Sequence, residues 1–505
     1  MLTIYILIAL ASICYFWYYY LTRTFNYWKS RNVVGPKPVP LFGNLQDSAF
    51  RRKNIGVLFK EIYDAYPNEK VVGVFRMTTP CLLLRDLDVI KHVLIKDFDY
   101  FSDRGVSFGE KGLGNNLFHA DSVMWRVLRN RFTPIFTSGK LKYMVYLLSQ
   151  LGDKFIELVS DICQKQQEHE VHSLVQKYTI ATISECAFGL KVDTISDTNS
   201  SIFKKIDNIV FAPTFIDEID MMYPGILRKL EINPFPKDVP DFFEQLVKTV
   251  IEQRNGKPTD RKDFMDLILG LRQERKIQGP KRSEDENEIT LELTDDIIAA
   301  QAFVFYAAGY ETSATTMAFM LYALAKNPDI QIKVIAEVDQ VLEKYDGKLS
   351  FEALNDLKYM EKVFYETLRF YPLVEPLQRK AQRDYKIPGM DVMVKKGQMV
   401  LISPLGIQHD EKYYPNPEKF DPERFSSENS SGRHTCAYLP FGTGPRNCIG
   451  MRFAKLQLYV CLAKLFSKFR VEPSKRTMPA LRFIPRRFLM AAEGGIYLNI
   501  VRRDI

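Results

Sequence analysis

From Leu2 to Leu21 no side chain carries a charge. Twenty residues at helical rise span ~30 Å, the thickness of a bilayer core. Tyr15, Trp17, Tyr18, Tyr19 and Tyr20 crowd the far end of this run, as in an aromatic belt, and Arg23, Lys29 and Arg31 follow it. No charged side chain precedes it, so the positive-inside rule puts the bulk of the chain in the cytosol. Ala9-Leu10-Ala11 resembles a cleavage site, but no basic segment leads into it and the apolar run continues beyond it, which favours an anchor over a cleaved signal. Pro36, Pro38 and Pro40 then alternate, predicting an extended, semi-rigid spacer.

Beyond this point the period of the apolar positions divides the chain. Val71–Phe75 and Cys81–Leu84, set around Thr78-Thr79-Pro80, predict a β-hairpin. Phe101–Ala120 carries Gly105, Gly109, Gly112 and Gly114 and predicts a mobile loop. Helical periodicity runs from Met124 to about Leu377, interrupted by the mixed-charge stretch Arg272–Glu288, which predicts a solvated loop between helices. Proline-rich loops run from Tyr413 to Phe425. Arg487–Ala492 and Ile496–Val501 flank Glu493-Gly494-Gly495 and predict a terminal hairpin. The chain therefore reads as mainly α with minor β, in three parts: an anchor over 1–22, a basic and proline-rich linker over 23–44, and one large domain over 45–505.

The longest predicted helix opens at Thr294, an N-cap, with Asp295 and Asp296 in its first turn, and ends at Lys326 before Asn327-Pro328. Its middle is apolar on nearly all sides, so it should be buried. Glu311 is then conspicuous, because a buried acid is costly without a partner or a function. Gly309 removes bulk beside it, and the Thr312 hydroxyl can turn onto the helix backbone or toward a ligand.

Composition narrows the chemistry. Seven cysteines at wide spacing, with no CxxC pair, argue against a disulfide framework and for a reducing compartment. The net charge of +8 is mild for 505 residues and fits an acidic partner or a membrane surface better than nucleic acid. One cysteine is set apart. Phe441-Gly-Thr-Gly-Pro-Arg-Asn-Cys448-Ile-Gly450 places Cys448 just before a predicted helix that starts near Met451. Amides and the dipole at a helix N-terminus stabilise a thiolate and lower a thiol pKa. Gly444 and Gly450 permit tight turns and close approach of a flat ligand, Arg446 offers a cation for a carboxylate, and Phe441 can cover the sulfur. A zinc site is disfavoured, since the spacing of His434 and Cys436 fits no common pattern.

The stretch from Phe441 to Gly450 matches F-x-x-G-x-R-x-C-x-G, and the sequence here resembles the cytochrome P-450 superfamily. Further motifs fall in the order of that family: Trp125-x-x-x-Arg129, Ala308-Gly309-Tyr310-Glu311-Thr312-Ser313, Glu366-x-x-Arg369 and Pro422-Glu-Arg424-Phe425. The resemblance covers essentially the whole chain and is strongest to the microsomal branch that handles foreign compounds, particularly its arthropod members. It implies the P-450 fold, with haem b (iron protoporphyrin IX) between the long central helix and the cysteine loop. It implies Cys448 as the metal ligand; Phe441 beside it; Trp125, Arg129, Arg379 and Arg446 as holders of the haem propionates; and Glu311 and Thr312 as the catalytic acid–alcohol pair. Glu366, Arg369 and Arg424 would be structural.

The activity implied is that of a monooxygenase in the endoplasmic reticulum membrane, oxidising small apolar substrates with dioxygen and electrons from NADPH. The electrons would come through an external flavoprotein reductase, with cytochrome b5 as a further donor. No dinucleotide fingerprint or phosphate loop occurs in the chain itself, in agreement with an external donor. The alternatives are a P-450-type isomerase or dehydratase, which retention of Glu311 and Thr312 disfavours, and a non-catalytic haem or ligand-binding membrane protein. By the same resemblance, Phe108, Phe211, Phe215, Met221, Met222 and Phe305 would line an apolar, adaptable pocket. Glu375 would sit in its wall, either as an anchor for amine-bearing substrates or paired with Arg379 or Arg383. Arg126, Arg131, Lys140, Lys142 and Lys455 are candidates for a basic face that docks the reductase. His409 is expected at the surface or in a loop.

Overall fold

Described in the computed structural model are all residues except 107–111, 191–194, 196–209, 212–225, 231, 233–234, 262, 275, 280–289, 488 and 505. The strands are β1 (Val71–Arg76), β2 (Thr79–Leu84), β3 (Glu168–Glu170), β4 (Lys276–Gln278), β5 (Thr290–Glu292), β6 (Leu377–Lys380), β7 (Tyr385–Lys386), β8 (Met393–Val394), β9 (Met399–Ile402), β10 (Phe469–Pro473) and β11 (Tyr497–Arg502). The predicted first hairpin forms: β1 and β2 run antiparallel with Val71 opposite Leu84 and Arg76 opposite Thr79. It extends through β9 and β6 into a four-stranded sheet. All of β1 is buried although it lies at the sheet edge. The linker explains this. Trp28 is buried and its indole donates to Val74 O (3.1 Å), while Gly73 N donates to Val34 O (2.8 Å). The basic and proline-rich segment is thus packed onto the sheet, and a Cβ at Gly35 would fall 1.9 Å from Gly73 O.

Helices form the other core. The central helix runs Asp295–Lys326, with the Thr294 hydroxyl accepting from Ile297 N (3.3 Å), as its capping sequence predicts. It is buried along most of its length, but Val304, Phe305, Ala308, Gly309 and Thr312 break the burial. Ala308 and Thr312 are four apart and share a face, so this strip is one side of the helix opening into a cleft. The helix Val171–Phe188 packs along the central helix, and the contact depends on Gly309: a Cβ there would lie 2.6 Å from Ile183 Cδ1. The helix Met451–Lys468 starts where the sequence places it, with Gly450 as its N-cap.

Two sequence expectations change. Arg487–Ala492 does not pair with Ile496–Val501. β11 pairs instead with β10 and β3, while the preceding segment makes the single bridges Val374–Leu489 and Phe483–Ala492. Leu498 and Ile500 alternate on β11 and bury on the helical core; burying that face outweighs the local turn signal. Arg272–Glu288 is not simply loop either. It begins inside the helix Phe264–Glu274 and then forms β4, which pairs with β5. Ile277, the lone isoleucine of the stretch, is fully buried and supplies the reason. The described ends of Phe101–Ala120 are tied down, with Phe101 buried and the Asn116 side chain bonded to Leu113 O (2.7 Å) and Phe118 N (2.9 Å).

Candidate active site

The cysteine loop is a set of nested turns. Gly442 N donates to Leu439 O (2.9 Å), Asn447 N to Gly444 O (3.2 Å) and Cys448 N to Phe441 O (2.9 Å). Gly444 has φ +75°, and a Cβ there would sit 1.9 Å from Leu94 O, so both conformation and space demand glycine. Gly450 has an ordinary φ of −90° and nothing within 4 Å of a Cβ position, so no turn requires it. Phe441 packs on Phe364 (6.1 Å between centroids). The Cys448 side chain is exposed, whereas Cys81, Cys186, Cys436 and Cys461 are buried. Burial of its surroundings pushes the Cys448 thiol above its ordinary value. The amides of Gly450 and Met451 and the charges of Arg129 and Arg104 pull the other way without winning. The helix N-terminus alone therefore does not lower this pKa; a cation bound at the sulfur would deprotonate it outright.

Beside the loop four guanidinium groups gather. Arg129 donates to Asn447 O (2.7 Å) and Oδ1 (2.8 Å), and Arg104 to Phe118 O and Arg446 O (both 3.0 Å). Arg446 donates to Ser102 O and Ala120 O, and Arg379 to Gln378 O (2.8 Å). Among the described residues none of the four has a carboxylate within salt-bridge distance, and Nε of both Arg379 and Arg446 is buried without a partner. Burial and then mutual repulsion depress Arg446 to about 9 and Arg104 well below the ordinary value, while burial lowers Arg379 to about 10. Such a cluster calls for an anion, and the paired propionates of haem suit it. Trp125 is buried, with the Arg446 guanidinium 5.0 Å from its ring centroid. Arg104 was not among the sequence candidates, since a lone arginine in a glycine-rich loop has no spacing to mark it.

Glu311 is fully buried and its carboxylate turns toward the Val171–Phe188 helix. Oε1 accepts from Arg487 (2.8 Å) and Thr315 (3.2 Å) and lies 3.1 Å from His172 Nε2; Oε2 accepts from Gln176 (2.9 Å). Burial pushes Glu311 up, but His172 and Arg487 outweigh it and hold it below the ordinary carboxylate value. Thr312 points elsewhere: its hydroxyl donates to Ala308 O (2.7 Å) on the exposed strip, which leaves its oxygen free to accept. His172, Gln176 and Arg487 are further residues that sequence motifs did not reveal.

Glu366 and Arg369 form a fully buried bidentate pair (2.7 and 2.9 Å). Arg424 Nε approaches Glu366 at 3.5 Å, and Asp421 N donates to it (2.8 Å). Arg369 also donates to Gln408 O and Pro417 O (both 2.8 Å), and the Gln408 side chain accepts from Leu439 N (2.9 Å). The pair thus reaches the cysteine loop through one glutamine.

Glu375 follows neither expectation. It is buried between the Ile55–Ala65 helix and the Pro404–Gln408 helix, bonded to Leu405 N and to the Ser403 hydroxyl (3.3 Å), with Gly56 against its Cβ. It pairs with neither Arg379 nor Arg383 among the described residues, and Arg379 lies near enough to Arg446 to repel its charge. Burial pushes the Glu375 carboxyl well above its ordinary value. The folded state then holds this proton more tightly than the unfolded chain. Its contribution to stability is full below the unfolded value near 4.5 and is lost as pH rises through the folded value. Glu375→Gln should flatten that decline in thermal midpoint between acid and neutral pH, and leave the preference for amine over neutral substrates unchanged.

Of the expected pocket residues, Phe108, Phe215, Met221 and Met222 lie outside the described residues. Phe211 packs on Tyr310 (6.1 Å), and Phe305 belongs to an aromatic group with Phe132 (5.5 Å), Phe136 (6.1 Å) and Phe264 (4.5 Å). On the expected basic face, Arg126 meets Asp99, Arg131 meets Glu274 (3.8 Å), Lys142 meets Glu352 (2.6 Å) and Lys455 meets Glu361. His409 ends a short helix against Phe370 (5.2 Å), with burial lowering its pKa to about 3.

Comparison with known proteins bears directly on this arrangement. The family model for cytochrome P450 matches residues 33–499. The chain is similar to cytochrome P450 6B2 of Helicoverpa armigera, 58% identical over 489 residues and covering 97% of this chain and 96% of that protein. Cytochrome P450 6B1 of Papilio polyxenes is 56% identical over 486 residues (96% and 97%). Cytochrome P450 6a2 of Drosophila melanogaster is 36% identical over 512 residues (99% of each).

Proposed function

Because this chain belongs to the cytochrome P450 family, whose members are monooxygenases, we propose that it is a membrane-anchored haem-thiolate enzyme that oxidises small apolar molecules. Foreign compounds or endogenous lipophiles are the substrate class, and electrons come from NADPH through an external reductase. The observation that carries this reading is the exposed Cys448 thiol in its nested loop beside four arginines without a carboxylate partner among the described residues. The helix Leu2–Thr22, with a mean hydropathy of 1.7 and no buried residue, supports an anchor in the endoplasmic reticulum membrane with the remaining chain in the cytosol.

Cys448 would hold the haem iron, and Arg104, Arg129, Arg379, Arg446 and Trp125 would hold the propionates. Haem bound through a thiolate supplies an iron that activates dioxygen, the sulfur donating electron density that favours O–O cleavage. The chain's own residues do the rest. The Arg369–Gln408–Leu439 connection fixes the loop so that the sulfur keeps one position. Phe305, on the same side of the helix as Ala308 and Thr312, packs with Phe132, Phe136 and Phe264 and gives that side an apolar wall. Thr312, bonded back to Ala308 O, presents an oxygen that orders a water molecule at the exposed strip. Glu311, one residue earlier, holds or releases a proton behind it. A basic face retaining Lys140 and partly neutralised elsewhere would meet the reductase, with cytochrome b5 as a second donor.

Thr312→Ala tests the reading. Haem content and substrate binding should match wild type, while product per NADPH falls and hydrogen peroxide rises. Positioned proton donors contribute about 10²–10⁴-fold in rate, so the loss of coupling should be large. Product, peroxide and NADPH are measured in one assay with purified reductase. A variant as tightly coupled as wild type would remove Thr312 from proton delivery.

A further inference from the structure

The hydrogen-bond partners of Glu311 differ in one respect that matters for a proton. Gln176 and Arg487 donate hydrogens that do not leave near neutral pH, and the Thr315 hydroxyl passes one on only as it takes another up, whereas an imidazolium gives its proton up directly. His172 is therefore the partner through which Glu311 can gain or lose a proton. Its position suits that exchange. Nε2 lies 3.1 Å from Glu311 Oε1 and 3.3 Å from the Thr315 hydroxyl, and no described protein group bonds Nδ1. The side chain is 21% exposed. It lines a cavity of about 210 Å³ whose wall also includes Glu170, Thr315, Phe319, Arg487 and Ile496. Its lining includes polar side chains, and its volume exceeds the ~30 Å³ share of one liquid water several times over. The imidazole thus stands, with Thr315 and Arg487, between a space that admits water and a fully buried carboxylate.

We propose that His172 carries protons from this cavity to Glu311, so that the proton path to Thr312 enters the protein at the first turn of the Val171–Phe188 helix. The proposal rests on the reading of Glu311 and Thr312 given above. A hydronium ion reaching the cavity protonates Nδ1, and the imidazolium releases its Nε2 proton to Glu311 Oε1. The ring then turns Nε2 to the cavity, where water takes the Nδ1 proton and returns one to Nε2, restoring the starting tautomer. One proton crosses, and only N–H and O–H bonds change. The charged groups around the ring are Glu311 from the central helix, Glu170 at the cap of its own helix, and Arg487 from the segment before β11. Burial lowers the His172 pKa, but Glu311 and Glu170 outweigh it and raise the net value, keeping the ring able to hold a proton near neutrality. His172 acts through Glu311 and is a positioning and relay residue rather than a catalytic one.

The test uses the full chain with reductase and the variant His172→Gln, whose amide can still donate to Glu311 but cannot pass a proton on. The carbon-monoxide spectrum and substrate binding should be unchanged. kcat should fall by about 10-fold or more, and should fall further as pH rises while KM stays fixed. The solvent deuterium isotope effect on kcat should increase. Wild-type kcat, pH profile and isotope effect in His172→Gln would overturn the relay. An independent readout is nuclear magnetic resonance of ring-¹⁵N histidine in the reduced, carbon-monoxide-bound protein. The chain has six histidines, and the His172 signals are assigned by their loss in His172→Gln or His172→Asn. Titration between about pH 5 and 8, with Nδ1 exchanging with water, supports the relay; a ring that stays neutral or shielded from exchange overturns it. A wild-type protein that binds haem but yields no product with reductase would overturn the proposed function, and the titration would still decide whether His172 takes up protons from the cavity.

Discussion

Cys448→His should abolish the long-wavelength absorption of the reduced carbon-monoxide complex that marks a thiolate ligand, and with it all monooxygenase turnover. An imidazole is a neutral donor and cannot supply the electron density that an anionic sulfur gives iron. The loop adds a second reason. Its backbone is fixed by the Cys448 N to Phe441 O bond (2.9 Å) and the Gly444 approach to Leu94, so a longer side chain would carry its donor atom to a different position. Cys436→Ser and Cys461→Ser should keep the band, since both thiols are fully buried, with burial pushing Cys436 to about 11. Loss of the band in either serine variant, with Cys448 intact, would move the ligand to another cysteine.

Arg369→Met should prevent accumulation of haem-loaded protein altogether. It leaves Glu366 fully buried with only Arg424 at 3.5 Å as a counter-charge, and strips donors from Gln408 O and Pro417 O. Removing one partner of a buried ion pair costs about 3–5 kcal/mol, a large part of the ~5–15 kcal/mol that holds a typical domain folded. Arg369→Lys should fare little better, because an ammonium cannot bridge both carboxylate oxygens and reach two carbonyls. The measurements are haem per protein and the urea midpoint of each variant. Arg369→Lys with wild-type haem content would show that the cysteine loop does not depend on this pair.

Much of the scaffold was legible because local chemistry and tertiary packing agree there. Thr294, Asp295 and Asp296 mark the start of the central helix, and Asn327-Pro328 its end. In the first hairpin the apolar runs form strands buried in a sheet, although the chain turns at Met77-Thr78 and Thr79 and Pro80 already belong to β2. Where the two disagree, packing wins. Gly494-Gly495 looked like the tip of a hairpin, yet the chain after it leaves for a different sheet to bury Leu498 and Ile500. Glu375 has no local feature that tells a pocket wall from a buried cap. Its place follows from contacts with Gly56, Ser403 and Leu405 in distant segments.

The local patterns of the proposed reactive centre are legible along the chain: one cysteine in a glycine-shaped loop before a helix, an acid and a threonine inside an apolar helix, and a Glu–Arg pair one turn apart. These are patterns within a few residues, where backbone geometry leaves little choice. What surrounds each of them follows from the fold. Arg104 joins Arg129, Arg379 and Arg446 from separate segments, and His172 and Arg487 reach Glu311 from positions 139 and 176 residues away. Electrostatic and hydrogen-bonding partners act over a few ångströms of space regardless of chain separation, so the charge on Glu311 and the pKa of the Cys448 thiol are set by the fold rather than by neighbours in the sequence.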